Sequence, residues 1–362
     1  MMEISDQLVF WIVVAVRFLL PLTIPRYPLL GIVACMIVDA VDQMIFQQFT
    51  DLPLEGYQNY DKALDIYYLT IAYISTLRNW PDHFAFKLGR SLFYYRLVGV
   101  ALFELTLQRP LLLVFPNVFE YFFIFYEATR LRWDPERLTG LRLIAAAAFI
   151  LLVIKLPQEY WIHIAEMNTV DWIISNPWGI LVLFAWAAVI VMGLYQVIRG
   201  VAPAPERTSI FGDHKHASTA QGPSIEDEGQ QPKRLIDWEV MEKIALISLL
   251  IIIFAQILPE VRASNLALFV GVAVIIVINT LVSHWLVRRG TEWSSILKEF
   301  VVISAMNLGI VLAAAFLLPS VDWSINLRNT LFMVLLLTLN ITLYDRYRRI
   351  HNQHFNGGSR QT

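Results

Sequence analysis

Cysteine is nearly absent from this chain of 362 residues: Cys35 stands alone. That excludes an intramolecular disulfide framework and any cysteine-ligated metal cluster. Charge is scarce too, with Asp, Glu, Lys and Arg at 16%, well below the usual share of about a quarter. No basic domain stands out. The 28 Lys and Arg face 30 Asp and Glu, a net charge of -2 that disfavours nucleic-acid binding. The first residues, MMEISDQ, lack the basic region of a signal peptide, so the first apolar stretch is expected to be retained. Apolar residues, in contrast, reach 57%, and mean hydropathy is +0.55. A soluble protein this apolar cannot cover its surface, so the missing solvent is lipid. Composition therefore predicts an all-α polytopic integral membrane protein.

A helix crosses the hydrocarbon core with about 20 mostly apolar residues. Segments 179–198, 244–259, 263–287, 300–321 and 329–344 carry no Asp, Glu, Lys or Arg, and 143–154 is a shorter clean stretch extending past Lys155. Earlier spans near 8–25, 28–49, 62–77, 91–107 and 110–128 are each interrupted by charge. The sum is about eleven helices, because only helices and closed barrels satisfy the backbone in lipid and these runs do not alternate. Residues 201–235, rich in Pro, Gly, Ser, Gln and charge, read as a flexible linker. The expected organisation is a seven-helix block over 1–200, the linker, a four-helix block over 236–346, and a basic and polar tail over 347–362.

Loop charge gives an orientation. Segments 78–90, 130–142, 199–234, 288–298 and the tail after Tyr344 hold 19 Lys and Arg, and the opposite loops hold five. This bias places the N-terminus outside and both linker and C-terminus inside a plasma membrane of the bacterial inner-membrane type. Residues 158–176 mix aromatics with Glu159, Glu166 and Asp171, which suggests an outer interfacial helix.

Ionisable groups at membrane depth are expensive and usually face a bundle interior or a wet cavity. Here they concentrate in the first half: Arg17, Asp39, Asp42, Asp61, Asp65, Arg96, Glu104, Glu120 and Glu127. Asp39 and Asp42 are three apart, and Asp61 and Asp65 four apart, so each pair lies on one helical face. The two pairs flank the hairpin QMIFQQFTDLPLEGYQNY, which would bring four carboxylates near one membrane face. Such a cluster needs protons, cationic side chains or metal ions to offset its repulsion. Oxygen-only ligands suit Mg²⁺, Ca²⁺ or Mn²⁺. The same residues also fit a plain network of salt bridges, with Arg17, Arg90, Arg96 and Arg109 as partners and Asp61 as a helix cap. Glu120 and Glu127 share a second face and extend the acidic path or pair with Arg130 and Arg132. Tyr57, Tyr60, Tyr67 and Tyr68 read as an aromatic belt or as groups that solvate carboxylates.

The hairpin resembles a degenerate form of the CDP-alcohol phosphotransferase signature, D-x2-D-G-x2-A-R-x8-G-x3-D-x3-D. Asp39 and Asp42 match its first pair, Gly56 its second glycine, and Asp61 and Asp65 its last pair one residue late. Gln43, Phe46 and Gln47 stand at its first Gly, its Ala and its Arg, and VRFLLPL around Arg17 resembles the family's first helix. The resemblance, confined to about the first 75 residues, implies a two-metal site held by the four aspartates. It also implies that Asp65 is the base activating an acceptor alcohol against a CDP-linked phosphate.

Three functions follow as expectations. The first is an ion- or proton-coupled carrier of a small ion or lipid-like substrate, with an acidic site at Asp39, Asp42, Asp61 and Asp65 and with Arg17, Arg96, Glu104 and Glu120 beside it. The second is a divalent-metal-dependent, CDP-alcohol phosphotransferase-like lipid enzyme. The third is a membrane scaffold whose C-terminal four-helix block meets a membrane-protein partner.

Overall fold

The computed structural model describes residues 4–49, 54–80, 82–165, 167, 172, 175–201, 238–257, 302–309 and 327–357. The expected spans at 263–287 and 300–321 fall wholly or mostly outside these residues, as does the linker. Every regular element described is helical. In chain order they are α1 (Ile4–Leu19), α2 (Pro28–Phe49), α3 (Leu54–Asn79), α4 (His83–Thr106), α5 (Pro110–Val114), α6 (Val118–Arg130), α7 (Gly140–Phe149), a π-turn (Ile150–Lys155), α8 (Leu156–His163), α9 (Gly179–Ile198), α10 (Trp238–Ile257) and α11 (Leu327–Gly357). Five stretches among them are long and apolar enough to cross a membrane: Pro28–Phe46, Pro110–Arg130, Gly140–Ile162, Gly179–Ile198 and Val240–Ile257. The molecule is an all-helical protein of membrane character.

The chain forms two compact units, one of Met1–Ala15, Asp42–Ile74 and His214–Thr362, the other of Val16–Val41 and Ser75–Asp213. In the first, Phe10 packs on Phe46 and on Tyr60, at ring separations of 6.3 and 5.4 Å, and Tyr60 packs on Phe332 at 5.1 Å. α10 packs along α11. Polar groups close one end of this unit: the Tyr73 hydroxyl donates to Glu242 Oε1 at 2.6 Å, and Lys243 Nζ meets Asp345 Oδ2 at 2.7 Å. Arg348 Nη2 lies 3.4 Å from Glu242 Oε2. Glu242, Lys243 and Asp345 lie just beyond the clean apolar runs 244–259 and 329–344.

The second unit is built on α4, α6 and α7. Its largest buried ring, Trp80, stacks at 5.7 Å on Phe123 and touches Tyr126 at 4.4 Å and Phe122 at 6.1 Å. Asp82 caps α4 by accepting from the Phe84 amide at 2.8 Å, satisfying one orphan donor of the first turn. α9 packs on α7 where Gly193 meets Phe149, and a Cβ at Gly193 would collide with that ring. Of α9, only Gly179 and Ile198 are buried, and Phe184, Val191 and Met192 are exposed, an apolar outer surface.

Candidate functional site

Two of the second unit's spans are interrupted, and the sequence supplies both causes. Pro116 follows α5, and a residue before proline is disfavoured in the helical region. Phe115 accordingly leaves it, at φ -113° and ψ 61°, and the chain restarts as α6 at Val118. The carbonyls at the end of α5 then lose their helical donors. α4 replaces them: Arg96 Nη1 donates to the Phe115 carbonyl at 3.0 Å, and the Tyr95 hydroxyl donates to Val114 O. Gly99 lets the break lie against α4, because a Cβ there would collide with Phe115. On the far side Asn117 caps α6, its Oδ1 accepting from the Glu120 amide at 3.4 Å and its Nδ2 donating to Glu120 Oε2 at 2.7 Å.

The second interruption is the π-turn before α8. Pro157 has no N–H to offer the Val153 carbonyl four residues back, and its ring crowds that carbonyl. The helix widens over Ile150–Lys155, and the Trp186 indole of α9 donates to Val153 O at 3.0 Å. In lipid such a repair is obligatory, since no water can serve the freed carbonyl.

Between these interruptions lies a buried polar cluster. Lys155, at the end of the π-turn, is 4% exposed; Glu159 and Glu120 are each 6% exposed. The Lys155 ammonium donates to Gln158 Oε1 at 3.1 Å and lies 3.8 Å from Glu159 Oε1. It also sits 4.6 Å from the centre of the Tyr121 ring, a cation–π arrangement. The Tyr121 hydroxyl donates to the same Gln158 oxygen at 3.4 Å, and Glu120 and Arg96 lie within Coulombic range of the ammonium. A second cluster surrounds Glu127, which accepts from Trp80 Nε1 at 2.6 Å and from Arg130 Nη1 at 3.1 Å.

The sequence-predicted residues fall into separate groups. Arg17 Nη2 donates to Asp39 Oδ1 at 2.5 Å; Arg17 is buried, and the Asp39 side chain is one third exposed. Cys35 is buried on the same helix as Asp39. Asp39 on α2 and Asp61 and Asp65 on α3 are half-buried, and Asp42 on α2 is fully buried. Asp61 lies two turns inside α3 instead of capping it, because the helix begins at Leu54. Tyr60, Tyr67 and Tyr68 are buried core residues of α3. Glu104 is buried in the last turn of α4, and Glu120 is buried in the first turn of α6. Arg96 serves a broken helix end through the Phe115 carbonyl.

Sequence reasoning did not single out Asn117, Tyr121, Lys155 or Gln158, and it placed Glu159 at the membrane interface. The available signal was the four-residue spacing of Lys155 and Glu159, which on a helix means contact. Neither family models, curated proteins nor solved structures match this chain.

Proposed function

We propose that the protein is an ion- or proton-coupled membrane carrier whose coupling site lies in the second unit. One observation carries the reading: two interrupted helices place Glu120, Lys155 and Glu159 together, buried, inside apolar spans. Charge of both signs at that depth is costly for a protein that only needs to hold its helices together. Interrupted helices at membrane depth are how carriers expose backbone dipoles and side chains to an ion without exposing them to lipid. Asp39, which accepts from Arg17 within the same unit, is the proposed cation-facing carboxylate. The proposed setting is a plasma membrane of the bacterial inner-membrane type, N-terminus outside and C-terminus inside. The meeting of the end of α3 with the start of α10 and the end of α11 supports the parity of that arrangement.

Flux in proteoliposomes tests this. Asp39→Asn and Glu120→Gln are expected to lower cation-driven flux at least tenfold. Wild-type flux in both variants would remove these residues from the mechanism.

The aspartates of the hairpin motif also favour a second reading. Carboxylate oxygens suit a hard divalent cation such as Mg²⁺, as the phosphotransferase resemblance requires. The guanidinium of Arg17 already occupies an oxygen of Asp39, one of the four aspartates in that resemblance's metal set. The enzyme reading predicts Mg²⁺-dependent CMP release from a CDP-alcohol, lost in Asp65→Asn. No release across a panel of CDP-alcohols excludes it for those donors.

A further inference from the structure

We propose that the pocket around Lys155 is a binding site for a small primary-ammonium cation, and that such a cation exchanges with the lysine's own charge. The pocket is made of what recognises an ammonium. The Gln158 amide oxygen accepts a hydrogen bond, the Glu159 carboxylate compensates charge, and the Tyr121 ring supplies a π face, at 3.1, 3.8 and 4.6 Å from the Lys155 nitrogen. The present occupant hangs on a flexible four-carbon stem, so the group that fills the pocket can also leave it. The stem is rooted in a π-turn, a helix irregularity frequent at functional sites.

The charged neighbours fix the stoichiometry. α8 brings Glu159, α6 brings Glu120 and Tyr121, and α4 brings Arg96. The last two turns of α7, LIAAAAF, bring no acid or base. Two positive charges in one buried pocket repel strongly, so an entering cation requires that Lys155 give its proton to water. The resulting amine keeps its lone pair and no longer claims the carboxylate. One proton leaves, one cation enters, and the net charge of the pocket is unchanged. The cargo class rests on the carrier reading; the binding site does not.

The test uses the full chain, purified in detergent, with ethylammonium chloride as probe and sodium and tetramethylammonium chlorides as controls. Lys155→Met is expected to gain about 3 °C or more in unfolding temperature with ethylammonium and nothing comparable with the controls. Wild type is expected to release close to one proton per ethylammonium bound, read in weakly buffered solution, and Lys155→Met to bind without release. If Lys155→Met does not fold, Glu159→Gln with the lysine intact is expected to abolish the release. The proposal is overturned if Lys155→Met responds equally to all three salts or to none. It is also overturned if wild type binds without releasing protons, or does neither. A protein that passes this test but moves no cation across vesicles keeps the site and loses the carrier reading. One that transports without ethylammonium binding does the reverse.

Discussion

Arg96 reaches from α4 to donate to the backbone carbonyl of Phe115 at 3.0 Å, so a charged side chain inside the bundle serves a broken helix end. Arg96→Met is expected to lower stability by about 2 kcal/mol, the scale of a hydrogen bond made by a charged donor. Arg96→Lys should recover part of it. Gly99→Ala, which pushes a methyl group into Phe115, should cost about 1–3 kcal/mol by overpacking. Unfolding in mixed micelles measures all three, and unchanged midpoints would show that the break needs no support from α4.

The π-turn makes a paired prediction. Trp186→Phe removes the donor to Val153 O and should cost about 1 kcal/mol. In that background Pro157→Ala should restore stability, because it returns a backbone N–H to the same carbonyl. If Pro157→Ala is equally neutral with and without the indole, the proline is not the origin of the turn.

How far the sequence foretold this arrangement depends on what each feature consists of. α9 and α10 are legible because an uncharged run of about 20 residues has few other fates in a chain this apolar. The pairing of Arg17 with Asp39 was within reach, since both are charges in neighbouring spans. The bond from Arg96 to Phe115 was not: its acceptor is a carbonyl that becomes available only when Pro116 breaks the helix, and carbonyls carry no sequence signature. Pro116 itself was readable as a breaker, and running one span through 110–128 passed over it. Lys155 and Glu159 were visible at helical spacing, but the aromatics after them pointed to the interface. Their burial comes from α6 and α9 packing around the π-turn, which is tertiary.

Trp80 joins the largest aromatic group of the second unit to a buried carboxylate. Trp80→Phe keeps most of the ring packing but takes a donor from Glu127, and should cost about 1–3 kcal/mol. Trp80→Ala, which also opens a cavity, should cost about 3–5 kcal/mol. A Trp80→Phe protein as stable as wild type would mean that Arg130 alone satisfies Glu127.

Orientation is open to a labelling experiment. A cysteine introduced by Gly56→Cys, in a Cys35→Ala background, is expected to react with an impermeant maleimide from outside intact cells. Labelling only after the cells are opened would invert the first three spans. It would also place the aspartate-bearing helices where a cytosolic CDP substrate can reach them.

The most direct test of the carrier account is the pH change inside proteoliposomes when an inward cation gradient is imposed. The account predicts that wild-type protein changes the lumenal pH in proportion to that gradient, and that Glu120→Gln, purified in the same folded state, does not. A wild-type protein that leaves lumenal pH unchanged across a panel of alkali, divalent and primary-ammonium cations would contradict it, as would a Glu120→Gln variant that responds like wild type.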